Sequence, residues 1–237
     1  MKPIYKRILL KLSGEGLAGK DKTGIDTSVV GRLAAEIKKV RQSGVQVCLV
    51  IGGGNFFRGA RNAGKIMDRS VADQIGMMAT VMNALAMKSA LESIDCPAVI
   101  YSGLNVPQVC NSYNFCDALR SVNEGKVVIF AGGTGNPYFT TDTGAALRAV
   151  EMHCDILMKA TQVDGVYSAD PRIDSTATRY DKISYNEVLE RRLNVMDMTA
   201  LAMLRDAKVP TMIFAQAEEQ AIYKAVCGQI KHTIINE

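Results

Sequence analysis

Lys11 lies near the end of an apolar run, Arg7–Leu12, and Ser13-Gly14-Glu15-Gly16 follows directly. A cation where a strand enters a glycine turn suits an anionic ligand. Glycine tolerates positive φ, and its backbone N–H groups can converge on phosphate oxygens with no side chain in the way. The pattern recurs after Ile51, with Gly52-Gly53-Gly54-Asn55 and then Arg58, whose guanidinium fork could return to a phosphate held by the triglycine turn. It recurs again after Phe130, as Ala131-Gly132-Gly133-Thr134-Gly135-Asn136-Pro137, running on into Tyr138-Phe139-Thr140-Thr141-Asp142. Hydroxyls, an amide and two adjacent aromatics suit a flat polar ligand such as a base. Asp142 stands where a helix is expected to begin, so its carboxylate serves either a reacting site or a helix cap. Phosphoryl transfer fits this set, because it is driven by positioning and positive charge, and an anionic acceptor needs no general base.

Two common phosphate motifs are present only in outline. Gly14-Glu15-Gly16-Leu17-Ala18-Gly19 matches G-x-G-x-x-G, and Gly14 through Lys20 matches the start of a P-loop. Asp21 occupies the position where a P-loop needs Ser or Thr. The polar stretch Lys20–Gly24 reads as a mobile surface loop, so the helix N-terminus both motifs require is not expected there.

Such residues need a rigid frame. Apolar runs of strand length occur at Arg7–Leu12, Val45–Ile51, Ala98–Tyr101, Lys126–Phe130, Ile156–Lys159, Thr211–Phe214 and Thr233–Ile235. Most are continuous rather than alternating, as expected of a mainly parallel sheet covered on both faces. Helix-period segments lie between them, and right-handed βαβ crossovers bring the strand C-termini, and with them all three glycine loops, to one edge. Asp26 is expected to cap a helix reaching Ser43, ended by Gly44. A longer helix, Asp68 to Ile94, carries Val71, Ile75, Met78, Met82 and Leu85 at the spacing of one buried stripe, with Met77, Val81, Ala84 and Met87 on its other sides. A helix apolar nearly all round is expected to be buried, in part in a subunit interface.

The chain has 237 residues, 48% apolar and 22% charged, enough for one full core without indicating disorder. One domain with a shared sheet is expected, residues 1–150 mainly on an acceptor side and 151–237 on a donor side. The net charge of +4 is spread, and aromatics are 6% with no tryptophan, so nucleic acid is not expected as a partner. No apolar run approaches the roughly 20 residues of a spanning helix, and no signal peptide precedes the first strand, which points to the cytoplasm rather than a membrane. Six cysteines without a C-x-x-C pair, and two histidines, give no metal site or disulfide framework.

Lys11-Leu12-Ser13-Gly14, Gly52-Gly53-Gly54-Asn55 with Arg58-Gly59, Thr134–Asp142, and Lys159-Ala160-Thr161-Gln162-Val163-Asp164-Gly165-Val166-Tyr167-Ser168-Ala169-Asp170-Pro171 together resemble the bacterial UMP kinases of the amino-acid kinase superfamily. The resemblance covers nearly the whole chain, and the T-G-N-P-x-F-T-T-D and V-D-G-V-Y-x-A-D-P runs are its specific parts. It implies an α/β fold, a three-layer αβα sandwich, and phosphorylation of UMP by ATP in pyrimidine nucleotide synthesis, with magnesium carried on the ATP phosphates and no protein metal ligand. It further implies a homohexamer regulated by GTP and UTP.

By the same resemblance, Lys11, Leu12, Ser13, Gly14, Gly54 and Arg58 meet the ATP phosphates, and Gly53 the acceptor phosphate. Asp73 takes the UMP ribose hydroxyls. Thr134, Gly135, Asn136, Pro137, Tyr138, Phe139, Thr140 and Thr141 hold the uracil and phosphate. Thr161, Tyr167 and Asp170 line the adenosine pocket, near Lys159. Lys11 and Arg58 are the expected charge stabilisers, with Asp142 orienting Lys11. Gln162 replaces a residue often basic in relatives, and Gly16 one often alanine, so the nucleotide-side surface is where this chain departs. The stretch Gly19–Gly24 resembles the family's effector-linked loop. Two alternatives stand beside this reading: a carboxylate or carbamate kinase of the same superfamily, and a nucleotide-binding protein without turnover.

Overall fold

A computed structural model of the chain describes residues 2–21, 23–57 and 67–237. Arg7–Leu12 (β1) is buried at Ile8, Leu9, Leu10 and Leu12, and its side chains feed two separate cores. Ile8, Leu10 and Leu12 pack on one face of the sheet and Leu9 on the other. That is the burial expected of a central strand covered on both sides.

The other strands are Gln46–Ile51 (β2), Ala98–Ser102 (β3), Asn111–Ser112 (β4), Val127–Ala131 (β5), Ile156–Thr161 (β6), Val166–Tyr167 (β7), Arg179–Tyr180 (β8), Lys182–Ser184 (β9), Thr211–Ala215 (β10) and His232–Asn236 (β11). Nine of the eleven described strands, β1 included, form one sheet in the order β4-β3-β5-β2-β1-β6-β10-β11-β9, while β7 and β8 make a separate hairpin. Every pairing in the large sheet is parallel except β10 with β11. The strands before residue 150 build one half and those after it the other, meeting at the β1–β6 pair.

The helices among the described residues are Thr27–Gln42 (α1), Arg69–Glu92 (α2), Phe115–Asn123 (α3), Thr141–Glu151 (α4), Tyr185–Glu190 (α5), Met198–Asp206 (α6) and Ala221–Val226 (α7). Leu33, Ile37, Met87, Leu91, Ile222 and Val226 bring α1, α2 and α7 onto one face. Val122, Ala149, Val188 and Leu204 bring α3 to α6 onto the other. The result is a three-layer αβα sandwich. Asp26 caps α1 by accepting from Ser28 N at 2.9 Å and Val29 N at 3.3 Å, and Gly44 follows the helix at φ +90°.

One expectation is corrected. On α2 the stripe expected to be buried faces out: Val71, Ile75, Met78 and Met82 are 46, 37, 42 and 43% exposed, and of that set only Leu85 packs partly on the core. The buried face is instead Ala72, Met77, Ala79, Thr80, Val81, Asn83, Ala84, Met87 and Leu91. At Ala79 a small residue is needed because the triglycine turn comes so close: a Cβ on Gly53 would stand 2.7 Å from Gly76 O and 2.8 Å from Ala79 Cβ.

The segment after β1 runs into the surface stretch expected at residues 20–24, where Lys20, Asp21 and Thr23 are exposed. Gly14–Leu17 and Gly19–Asp21 form 3-10 turns, Leu17 and Ala18 are buried, and Gly24 N donates to Asn55 O at 3.1 Å.

Candidate active site

Lys11 of β1 and Lys159 of β6 are register partners on adjacent parallel strands. Two ammonium groups held side by side near the strand C-termini repel, and the fold supplies one counterion, Asp142, from the first turn of α4. Its Oδ1 lies 3.0 Å from Lys11 Nζ and its Oδ2 2.7 Å from Lys159 Nζ. The three side chains are 12, 13 and 15% exposed for Lys11, Lys159 and Asp142. Oδ1 has no aligned hydrogen bond, so its contact with Lys11 is an ion pair, whereas Lys159 donates both to Oδ2 and, at 2.6 Å, to Val195 O.

Burial alone would raise the Asp142 carboxyl, but the Lys11 and Lys159 charges overcome it and hold the group below its ordinary value. Burial, with Lys11 nearby, pulls Lys159 below the usual lysine value against the opposing pull of Asp142. The group carries one net positive charge.

Asp142 is free for this contact because it is not the cap. Thr140 Oγ1 accepts from Asp142 N at 3.0 Å and from Thr143 N at 3.4 Å. Asp197 in turn accepts from Thr140 Oγ1 at 2.5 Å and from Thr143 Oγ1 at 2.9 Å, while capping α6 through Ala200 N at 2.9 Å. Asp197 was not singled out by sequence; its position just before an apolar helical segment was the available signal.

The first two glycine turns meet beside Lys11. Gly52 N donates to Leu12 O at 3.0 Å, and a Cβ on Gly14 would lie 2.4 Å from Gly52 O, so no larger residue fits there. Among the described residues, the N–H groups of Gly53 and Gly54 have no acceptor, which leaves them to an incoming anion. Ser13 begins the first turn without a side-chain capping bond. Arg58 falls outside the described residues.

A cavity of about 350 Å³ opens between α2, the triglycine turn and the third loop, lined by Gly53, Gly54, Asp73, Thr134, Phe139 and Thr141 among others. Asp73 Oδ2 accepts from Arg69 Nε and from Tyr138 N, both at 2.8 Å, so the carboxylate fastens the third loop to the helix rather than merely facing its N-terminus. The Arg69 guanidinium lies 5.3 Å from the Tyr138 ring centroid. Gly135 N donates to Gly132 O at 2.9 Å and Asn136 N to Thr134 Oγ1 at 3.2 Å, folding Thr134 to Pro137 into a tight turn. Larger clefts lie elsewhere, one of about 560 Å³ beside Tyr185 and Glu237, but the lysine pair is not among their lining residues, so volume alone does not select the site.

The donor-side candidates lie across β1 from the triglycine turn. Thr161, at the end of β6, spends its hydroxyl locally, donating to Val163 O at 2.7 Å and accepting from Val163 N at 3.0 Å. Tyr167 O–H donates to Asp164 Oδ1 at 2.6 Å. Asp170 pairs with Arg172 at 2.7 Å, and hydrogen bonds from that side chain and its backbone N–H draw the Asp170 carboxyl down to about 2.

The amino acid kinase family model matches residues 6–215 of the chain, from the start of β1 to the end of β10. The chain belongs to the amino acid kinase family. Within that family it is 50% identical over 233 residues to a uridylate kinase of Hyphomonas neptunium, a match covering 98% of this chain and 93% of the relative. It is 52% identical to a uridylate kinase of Paramagnetospirillum magneticum, covering 98% and 96%. Among solved structures, a UMP kinase from Ureaplasma parvum superposes with a TM-score of 0.93 at 35% identity, covering all of both chains. A uridylate kinase from Archaeoglobus fulgidus gives 0.72 at 32% identity, covering 96% and 99%. The αβα sandwich is thus that of an amino acid kinase family chain.

Proposed function

We propose that the chain transfers the γ-phosphoryl group of ATP to UMP, yielding UDP and ADP, in pyrimidine nucleotide synthesis. It is a UMP kinase. The observation that carries this reading is the identity of about half of all residues with uridylate kinases along nearly the full length of both chains.

The geometry supports a division of labour. The UMP phosphate rests on the triglycine turn at Gly53, its ribose hydroxyls on Asp73, and its base on Thr134 to Thr141. The ATP phosphates lie along Lys11 to Gly14 and Gly54 with Arg58, and the adenosine beyond β6, near Thr161, Tyr167 and Asp170. Residues 1–150 thus carry mainly the acceptor side and 151–237 mainly the donor side. In this reading Lys11 and Arg58 neutralise charge on the moving group, while Asp142 holds Lys11 and Lys159 in place, and the uncompensated positive charge stabilises a loose, anionic transition state more than water would. The UMP phosphate is already the nucleophile, so no side chain has to remove a proton.

Magnesium fits as a companion of ATP rather than a resident ion. No group of three or more potential carboxylate, thiolate or imidazole ligands occurs among the described residues, and both Asp142 oxygens face lysines. Bound with ATP, the ion would screen phosphate charge. Assembly as a homohexamer, response to GTP and UTP, and a cytoplasmic location belong to the same proposal, and no described helix is long and apolar enough to cross a membrane. The test is ADP release with ATP and magnesium, comparing UMP, CMP, dUMP, AMP, acetylglutamate and carbamate. A strong preference for UMP is expected; turnover only with a carboxylate or carbamate would keep the donor side and overturn the acceptor assignment.

A further inference from the structure

Behind the triglycine turn, Asn55 and Asn83 form a closed amide pair. Asn83 Nδ2 donates to Asn55 Oδ1 at 2.7 Å, and Asn55 Nδ2 donates to Asn83 Oδ1 at 2.9 Å. Each amide has a second N–H, and both are used outward: Asn83 donates to Gly52 O at 2.7 Å, and Asn55 to Gly24 O at 2.7 Å. Asn83 is fully buried and Asn55 is 3% exposed. All four amide hydrogens therefore have acceptors, the condition under which a buried polar pair is tolerated and rigid. An apolar pair would fill the same space, so packing alone does not call for amides here.

The outward bonds fall on backbone that matters. The peptide unit is planar, so holding the Gly52 carbonyl toward Asn83 turns the Gly53 N–H to the opposite side. That N–H has no acceptor among the described residues. The first phosphate turn is keyed to the same pair, since a Cβ on Gly14 would lie 2.6 Å from Asn55 Oδ1. Gly24, held by Asn55, lies between the 3-10 turns at Gly14–Leu17 and Gly19–Asp21 and the start of α1.

We propose that Asn83 is a positioning residue for phosphoryl transfer, aiming the Gly53 N–H through its bond to the Gly52 carbonyl, and that Asn55 fastens the segment at Gly24 to the same anchor. The inference rests on the reading that the triglycine turn holds a substrate phosphate. The two residues have separable duties, because Asn83 keeps its bond to Gly52 O when Asn55 is lost, whereas losing Asn83 frees the turn itself.

The experiment uses the full-length enzyme, with steady-state kinetics for UMP and ATP, thermal unfolding, and amide hydrogen exchange read by mass spectrometry. In Asn83→Ala, turnover is expected to fall about 10- to 100-fold, the scale of a misaligned reacting group, with the folded fraction unchanged and exchange accelerated in peptides covering residues 52–57. The near-isosteric Asn83→Asp should lose turnover in the same way. Asn55→Ala should accelerate exchange around residue 24 and lose less turnover than Asn83→Ala.

Turnover in Asn83→Ala that falls only in step with its folded fraction, or accelerated exchange spread evenly along α2, would overturn the proposal. If neither Asn83 variant folds, Asn55→Ala decides: acceleration confined to the residue 24 region supports it, and equal acceleration at 52–57 overturns it. A wild-type enzyme inactive toward UMP would instead overturn the substrate reading, and the exchange pattern would still decide whether the amide pair sets the turn.

Discussion

Asp142 stands between two lysines and can neutralise only one of them, so the site keeps a positive charge in a place with little water. In the proposed mechanism that charge is strengthened by its surroundings and is fixed before substrates arrive. Replacing Lys11 by alanine is therefore expected to reduce turnover about 10²- to 10³-fold, the scale of losing one preorganised electrostatic group, with a smaller change in UMP affinity. Near-normal turnover in Lys11→Ala would remove it from the catalytic set. The role of Asp142 was open in the sequence because a carboxylate in the first turn of a helix satisfies both a cap and a lysine partner; only the structure shows that the Thr140 hydroxyl takes the cap.

The same ion pairs predict a pH effect. Asp142 is held below its ordinary value, so it contributes stability above the unfolded-state carboxyl pKa and loses that contribution as pH falls through its folded-state pKa. Denaturant unfolding of wild type and Asp142→Asn at steps from neutral pH into the acid range should show a stability loss in wild type that the variant lacks. Equal slopes in both proteins would mean that the carboxylate is not energetically coupled to the lysines.

Elements were legible where periodicity and punctuation agree. The span of α1 follows from Asp26 and Gly44, and the core strands from their continuous apolar runs. The two-residue strands β4, β7 and β8 carry too few residues for any pattern. Helix α2 was legible in extent but not in orientation: apolar residues surround it, so a period of 3.6 marks several faces equally well. The choice was made by backbone approach, since the Gly76 carbonyl and the small Ala79 side chain lie directly against Gly53 of the triglycine turn. That contact yields a prediction for the element pair. Gly53→Ala would put a methyl 2.7 Å from the backbone oxygen of Gly76, which cannot swing aside, whereas in Gly54→Ala the nearest described atom is the Glu15 carboxylate at 3.6 Å. Gly53→Ala is expected to lose about 1–3 kcal/mol of stability as an overpacked contact, with Gly54→Ala close to wild type in thermal unfolding. Equal unfolding midpoints would show that the turn and helix separate at no cost.

For the whole molecule, the outward face of α2 is the feature a lone chain does not explain. Val71, Ile75, Met78 and Met82 follow one another at steps of four, three and four, an apolar strip roughly 17 Å long at 1.5 Å per residue. Exposed apolar strips on a soluble surface mark contacts, and a helix face can meet its own copy about a two-fold axis, which suits the proposed homo-oligomer. The opposite face of the same helix carries Asn83 against the triglycine turn, and its N-terminal turns carry Arg69 and Asp73 toward the third loop. An assembly that covers the strip would therefore hold the proposed acceptor side rigid from behind. In Met78→Asp, a charge in the middle of the strip should shift the sedimenting mass from a multiple of the 25.7 kDa chain toward smaller species, with circular dichroism unchanged. Its activity should then rise with enzyme concentration as the remaining contacts drive reassembly. An unchanged mass would place the subunit contact on another surface, and full dissociation without loss of activity would separate assembly from the acceptor site altogether.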